Sequence, residues 1–207
     1  MQQRKRIGIL IFDDVEVLDF TGPYEVFSTT RLDEARRREE PSPFEVLLVA
    51  EREGAIKASG GLRVLPDVTT AACPSLDLLL VPGGWGTRRE LSNQPLLGWI
   101  AVRAGQARIL CSVCTGALLL GKAGLLDGRR ATTHWKSLGL LRDSFPESRV
   151  EEQLHVVRDG NLYTSAGISA GIDLALLVTA EMCGEAIGRS TARHMEYPYP
   201  EGLARRV

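Results

Sequence analysis

Three short, mostly apolar runs set the terms on which this chain can fold: residues 7–12 (IGILIF), 76–81 (LDLLLV) and 107–113 (ARILCSV). Each has the length of a strand, and each is apolar at nearly every position. That is the pattern of a parallel strand covered by helices above and below. Each also ends abruptly, at Asp13-Asp14, at Pro82-Gly83-Gly84 and at Cys114-Thr115-Gly116. Segments of helical length separate them. The expected fold class is therefore α/β, a doubly wound, mostly parallel sheet with helices on both faces.

The remaining punctuation fills in the elements. Thr21-Gly22-Pro23 offers a capping hydroxyl and a proline near a first helical position, and predicts a helix over 24–40. Its far end, 31–40, is a charge run expected to face solvent. Pro41-Ser42-Pro43 stops it, residues 44–50 form a strand, and Gly60-Gly61 marks a small hairpin within 54–68. Helices are expected over 91–104, 115–123, 135–144, 168–183 and 185–196, with a short strand at 130–133. Strands 154–158 and 161–164 meet at Asp159-Gly160, a two-residue hairpin turn. With no repeat and no linker, residues 1–207 read as one domain with a core at about 7–200, and EGLARRV as a loose tail.

Composition narrows the function classes. The 207 residues carry 25 basic and 26 acidic side chains, a net charge of −1, which leaves no electrostatic footprint for nucleic acid. The longest apolar stretch, 168–182, contains Asp173 and Glu181 and is too short for a membrane span. The apolar part of the basic N-terminus is only about six residues, short for a signal peptide, so the cytoplasm is the expected compartment. Four cysteines (Cys73, Cys111, Cys114, Cys183) make no disulfide framework. Cys111 and Cys114 form a CxxC, but a thioredoxin-type pair sits at a helix start and Cys111 lies inside a strand, so it is read as packing. The three histidines, His134, His155 and His194, lack metal-ligand spacing; neither a metal nor an organic cofactor is expected.

The chemistry-bearing segment is ILCSVCTGALLLGKAGLL. A buried strand runs straight into Cys114-Thr115-Gly116 and then into a helix, which puts Cys114 on a sharp turn at the carboxyl edge of the sheet, where ligands bind. This is a nucleophile elbow with sulfur in place of hydroxyl. Unpaired N–H groups at the helix start favour the thiolate, so the thiol is expected below the free-cysteine pKa of about 8.5. After a second buried strand, Gly83 and Gly84 can turn backbone N–H groups toward the site and, with the Thr115 N–H, form an oxyanion hole; a mere turn explains the same dipeptide equally well. Asp19 lies between Leu18 and Phe20 beside a helix start. Desolvation there would raise its pKa, although N-terminal helix support is the simpler role.

LDFTGPYEV, VPGGWGT, SVCTGALLLGKAGLLDGRRATTHW and GNLYTSAGISAGID, in that order, resemble the ThiJ/PfpI superfamily, with its class I glutamine-amidotransferase-like, flavodoxin-like fold. The resemblance runs from about Ile7 to Pro200 and is strongest to isocyanide hydratases and to the sensor domains of AraC-type regulators. It implies Cys114 as nucleophile and Asp19 as its acidic partner. It further implies an oxyanion hole from Gly84 and the Thr115 backbone, a pocket loop containing Ile168 and Ser169, and His134 nearby without a dyad. The implied reaction is hydration of a small isocyanide to an N-substituted formamide through a thioimidate on Cys114, with no cofactor. A homodimer is implied too. Thr115 stands where PfpI-type proteases carry histidine, which argues against proteolysis, and Asp19 stands where deglycase relatives carry glutamate. Glyoxalase-type action on small α-oxoaldehydes and a non-catalytic sensor remain the alternatives. With no helix-turn-helix region after Pro200, a full AraC-type regulator is not expected.

Overall fold

The computed structural model describes residues 4–205. The three apolar runs form three adjacent central strands, β1 (Lys5–Leu10), β6 (Leu78–Val81) and β7 (Ile109–Val113). They lie parallel, with Ile9 opposite Leu80 and Leu80 opposite Cys111. All four residues of β6 are fully buried. Burying side chains of this size contributes roughly 2 kcal/mol each, so helix layers must cover both faces. β2 (Phe44–Ala50) and β5 (Val68–Thr69) extend the sheet on one side, β11 (Leu162–Ser165) and β10 (Val156–Asp159) on the other, in the order β10-β11-β7-β6-β1-β2-β5. Only the β10–β11 pair is antiparallel within this sheet. Two small pairs stand apart, β3 (Ile56–Lys57) with β4 (Arg63–Val64), and β8 (Arg130–Ala131) with β9 (Arg149–Val150).

Helices α1 (Val17–Thr29), α6 (Ala170–Cys183) and α7 (Glu185–His194) pack together as one layer. The short α2 (Thr87–Glu90), α3 (Gln94–Gln106), α4 (Gly116–Lys122) and α5 (Leu138–Ser144) form the other. This is the expected flavodoxin-like α/β architecture, and the hairpin around Gly60-Gly61 is present as β3–β4.

Four local expectations are corrected. α1 begins at Val17, not Tyr24, so Pro23 lies inside the helix and Thr21 does not cap it; the Thr21 hydroxyl donates to Val17 O at 2.8 Å. The helix stops at Thr29 because Thr30 turns extended and both its N–H and its hydroxyl bond Val26 O, and 31–40 holds only a 3-10 turn over Glu34–Arg36. The β10–β11 turn is Gly160-Asn161, since Asp159 pairs with Leu162 and Gly160 takes the left-handed φ of 57°. The tail is not loose as far as it is described. His155 N–H donates to Leu203 O, Ala204 bridges Leu154, and the Arg205 guanidinium reaches Glu152 O and Thr132 Oγ1. Residues 206 and 207 lie outside the described part.

Candidate active site

The parallel strands present their carboxyl ends at one edge, and the loops leaving β1, β6, β7 and β11 converge there. The loop after β1 is stitched to the loop after β6: Glu16 N–H donates to Gly83 O at 2.9 Å, Gly86 N–H to Asp14 O at 3.1 Å, and Val15 bridges Gly84. Asp13 ties the same loop to the segment 52–57. It accepts the Lys57 N–H and pairs with Arg52, and these bonds hold its carboxyl below the usual range.

Cys114 sits at the top of β7 with φ of 56°, a left-handed conformation uncommon for a residue with a Cβ. Its neighbours enforce it. The Cys114 N–H is shared between Ser165 O and Ala166 O at 3.2 Å each, and its carbonyl accepts the Thr133 hydroxyl at 2.7 Å. Gly116 permits the turn for a different reason than backbone freedom: a Cβ there would overlap Val81 O, so only glycine lets α4 start directly on the end of β6.

Asp19, in the first turn of α1, is fully buried. Its Oδ2 accepts the Gly83 N–H at 2.9 Å, its Oδ1 accepts the Ile168 N–H at 3.1 Å, and the carboxyl is hydrogen-bonded to the Cys114 thiol. Burial pushes the Asp19 carboxyl up to about 7 against this stabilisation. The Cys114 thiol is also pushed up, first by burial and then by the Asp19 charge, while the Thr115 N–H works the other way. This corrects the expected lowering: helix-terminus N–H groups are outweighed by desolvation and by a like charge in contact. Cys114 and Asp19 behave as a pair that resists losing its last proton.

Thr115 follows the cysteine, and its hydroxyl is spent inward. Thr115 Oγ1 accepts the Gly84 N–H at 3.0 Å and meets Thr87 Oγ1 at 3.0 Å. Gly83 and Gly84 are thus already engaged, one N–H by Asp19 and the other by Thr115, rather than forming an open pair of donors. Both positions need glycine. A Cβ on Gly83 would lie 2.5 Å from Thr115 N and Oγ1, and Gly84 has φ of 131°.

Cys114 opens into a cavity of about 230 Å³ walled by Gly84, Trp85, Thr115, His134 and Ile168. Glu16, Arg88 and Lys136 add its charged groups, and Ser137 completes the lining. His134 Nδ1 accepts the Lys136 N–H at 3.3 Å, and burial keeps the imidazole below its usual pKa. Its ring lies so close to Gly167 that a Cβ there would overlap Cδ2. Ile168 has φ of 60°, while Ser169 is exposed at the start of α6 and does not line the cavity. Trp85 is the aromatic residue on the cavity wall; Trp135 stands exposed against His134, and Tyr24 is on the outer surface of α1. Cys111 is fully buried in β7, where burial raises its pKa. Among the described residues, no cluster of three or more His, Cys, Asp or Glu is placed to hold a metal ion. A wider depression of about 500 Å³ near Phe12 and Leu96 has its guanidiniums, Arg52 and Arg89, already paired with carboxylates. Neither cysteine nor histidine lines it.

An elbow cysteine hydrogen-bonded to a buried carboxyl, on the carboxyl edge of a flavodoxin-like sheet, defines a class of small α/β proteins. The chain belongs to the DJ-1/PfpI family, whose model matches residues 5–181. It is 40% identical over 192 residues to the isonitrile hydratase of Pseudomonas putida, covering 93% of this chain and 78% of that enzyme. It is 32% identical over 140 residues to the HTH-type transcriptional regulator GbdR of Pseudomonas aeruginosa, covering 68% of this chain but 38% of the regulator. A ThiJ/PfpI family protein from Pseudomonas syringae has a similar structure, with TM-score 0.83 and 32% identity over 96% of this chain and 78% of that one. No helix among the described residues is long and apolar enough to cross a membrane.

Sequence reasoning missed the short α2, whose Thr87 braces Thr115, and Glu16, which lines the cavity. Neither carries a signal of its own, because TRRE and a lone glutamate before a helix have many uses.

Proposed function

We propose that this protein hydrates small isocyanides to N-substituted formamides. The observation that carries the reading is the buried Cys114–Asp19 pair at the floor of a small cavity, supported by the likeness to an isonitrile hydratase. The pair supplies what the reaction needs. The Cys114 sulfur attacks the terminal isocyanide carbon, forming a C–S bond, and the proton held between Cys114 and Asp19 passes to that carbon, giving a thioimidate. Asp19, now ionised, takes one proton from a water molecule as the water oxygen adds to the C=N carbon, and the remaining hydroxyl proton passes to the nitrogen so that the oxygen can form the carbonyl. The C–S bond breaks, sulfur leaves with its electron pair, and the proton on Asp19 returns to the pair. One water is consumed and the product is a formamide. The raised carboxyl of Asp19, about 7, suits a group that gives and takes a proton near neutrality.

The test is formamide production from phenyl isocyanide by the reduced wild type beside Cys114→Ala. Turnover by the wild type and loss in the variant is the expected result. Retained turnover in Cys114→Ala would overturn the mechanism. Lactate from methylglyoxal with no formamide would assign oxoaldehyde chemistry instead, and ligand binding without any turnover would assign a sensor.

A further inference from the structure

The chain is near neutral overall, yet the mouth of the Cys114 cavity is not. Arg88 and Lys136 both line it, on opposite sides in sequence of the elbow, and both are exposed. Neither is ion-paired with a carboxylate among the described residues. Arg88 lies over the Trp85 ring at 4.3 Å, and the Lys136 ammonium lies 5.1 Å from the Trp135 ring centre. Their immediate counterparts on the same edge, Arg52 and Arg89, are neutralised by Asp13 and Glu90. The stacking leaves each cationic group able to meet an anion in addition to the ring.

The rest of the lining sets the shape of the ligand. One wall is the exposed Trp85 indole, and Ile168, held outward by its left-handed backbone, supplies another apolar surface. Glu16 is the single carboxylate on the lining, and its backbone is tied to Gly83 on the floor side. Two cations against one carboxylate leave the lining net positive, which favours an anionic group beside Arg88 and Lys136. The volume, about 230 Å³, is below the roughly 300–1,000 Å³ common for drug-sized ligands, so the ligand is compact.

Resting on the hydratase reading above, we infer that the substrates of this site are small isocyanides with a flat apolar body and an anionic group, such as a carboxylate, at the end remote from the isocyanide carbon. Trp85 and Ile168 are the body's contacts, and Arg88 and Lys136 are the specificity-determining residues for the charge.

The experiment compares 4-carboxyphenyl isocyanide with its neutral near-isostere, 4-carbamoylphenyl isocyanide, at low ionic strength. The wild type is expected to favour the carboxylate by roughly fivefold in kcat/KM, mainly through KM, as suits two partly exposed cations. Molar salt should bring the ratio toward one. The ratio should fall in Arg88→Gln and in Lys136→Gln and approach one in the double variant. Lys122→Gln, which removes the same charge from the far end of α4, should leave it unchanged. Equal kcat/KM for the two compounds in the wild type, or a preference that survives in the double variant, overturns the inference. Should neither compound turn over, the hydratase reading itself has failed, and the anion site is then decided by titrating 4-carboxyphenylformamide and 4-carbamoylphenylformamide into the protein. Tighter, salt-sensitive binding of the carboxylate keeps the anion site, and equal binding overturns it as well.

Discussion

Ile168 donates its backbone N–H to Asp19 Oδ1 at 3.1 Å across 149 positions of sequence, and does so from a left-handed conformation with φ of 60°. A β-branched residue adopts that backbone only when its surroundings insist. The other oxygen of the same carboxyl holds Gly83 N–H. One buried side chain on α1 thus ties together the loops after β6 and β11 and meets the Cys114 thiol between them. Consequences for stability and chemistry follow from that junction.

The first concerns pH. Burial raises the Asp19 carboxyl from an ordinary 3.8 to about 7, so the folded protein keeps a proton that the unfolded chain gives up near pH 4. The stability this group contributes is complete below about pH 4 and is lost as pH rises through about 7. Three pKa units at about 1.36 kcal/mol each put the ceiling near 4 kcal/mol. Urea unfolding at intervals from pH 4 to 8 should show the wild type weakening relative to Asp19→Asn. A pH-independent difference between the two would mean the carboxyl is ionised throughout.

Thr115 offers a second test, of packing rather than charge. Its hydroxyl accepts the Gly84 N–H and joins the buried Thr87 hydroxyl. Thr115→Val keeps the shape and removes the oxygen, leaving both partners short, and should destabilise by about 2 kcal/mol. Thr115→Ser restores the hydroxyl and should lie close to wild type. Thermal melts of the three proteins decide it: a valine variant as stable as wild type would show that the hydroxyl network contributes nothing.

His134 and Gly167 should be coupled. A Cβ on Gly167 overlaps the imidazole, so Gly167→Ala is expected to lose roughly 1–3 kcal/mol. In His134→Ala the obstacle is gone, and adding Gly167→Ala should then be nearly neutral. A double-mutant cycle measures this directly, and strictly additive losses would place the strain elsewhere.

The tail reaches the site by a relay. Arg205 donates to Thr132 Oγ1 and to Thr133 O, and the Thr133 hydroxyl donates to Cys114 O. Arg205→Ala should free the segment that carries Leu203, whose carbonyl holds the His155 N–H. Hydrogen exchange at the His155 amide is the readout; it should quicken several-fold, and unchanged protection would mean the segment docks without the arginine.

The local features were legible in the residues. Apolar runs of strand length required buried parallel strands, and they became β1, β6 and β7 side by side. Cys114-Thr115-Gly116 between an apolar strand and a helical run required a sharp turn, and Cys114 takes the left-handed φ that such a turn needs. Short-range sterics and hydrophobic period decide these things, and both are written in neighbouring residues. Even at this range Thr21-Gly22-Pro23 misled. Helix α1 continues through Pro23, because Pro23 is itself buried, α1 packs against α6 and β2, and tertiary burial outweighs one missing hydrogen bond.

What the tertiary structure alone decided is everything that depends on loops meeting across the sheet edge. Nothing near Asp19 announces a cysteine 95 positions away, and its pairing came from resemblance rather than from spacing. The direction of the Cys114 shift also reversed once burial and the Asp19 charge were present, since desolvation is a property of the packed site and not of the elbow. Gly167 against His134, and Arg205 behind Thr133, are contacts between segments with no shared pattern. Periodicity specifies which face a residue turns inward; only the packed sheet specifies what it meets there.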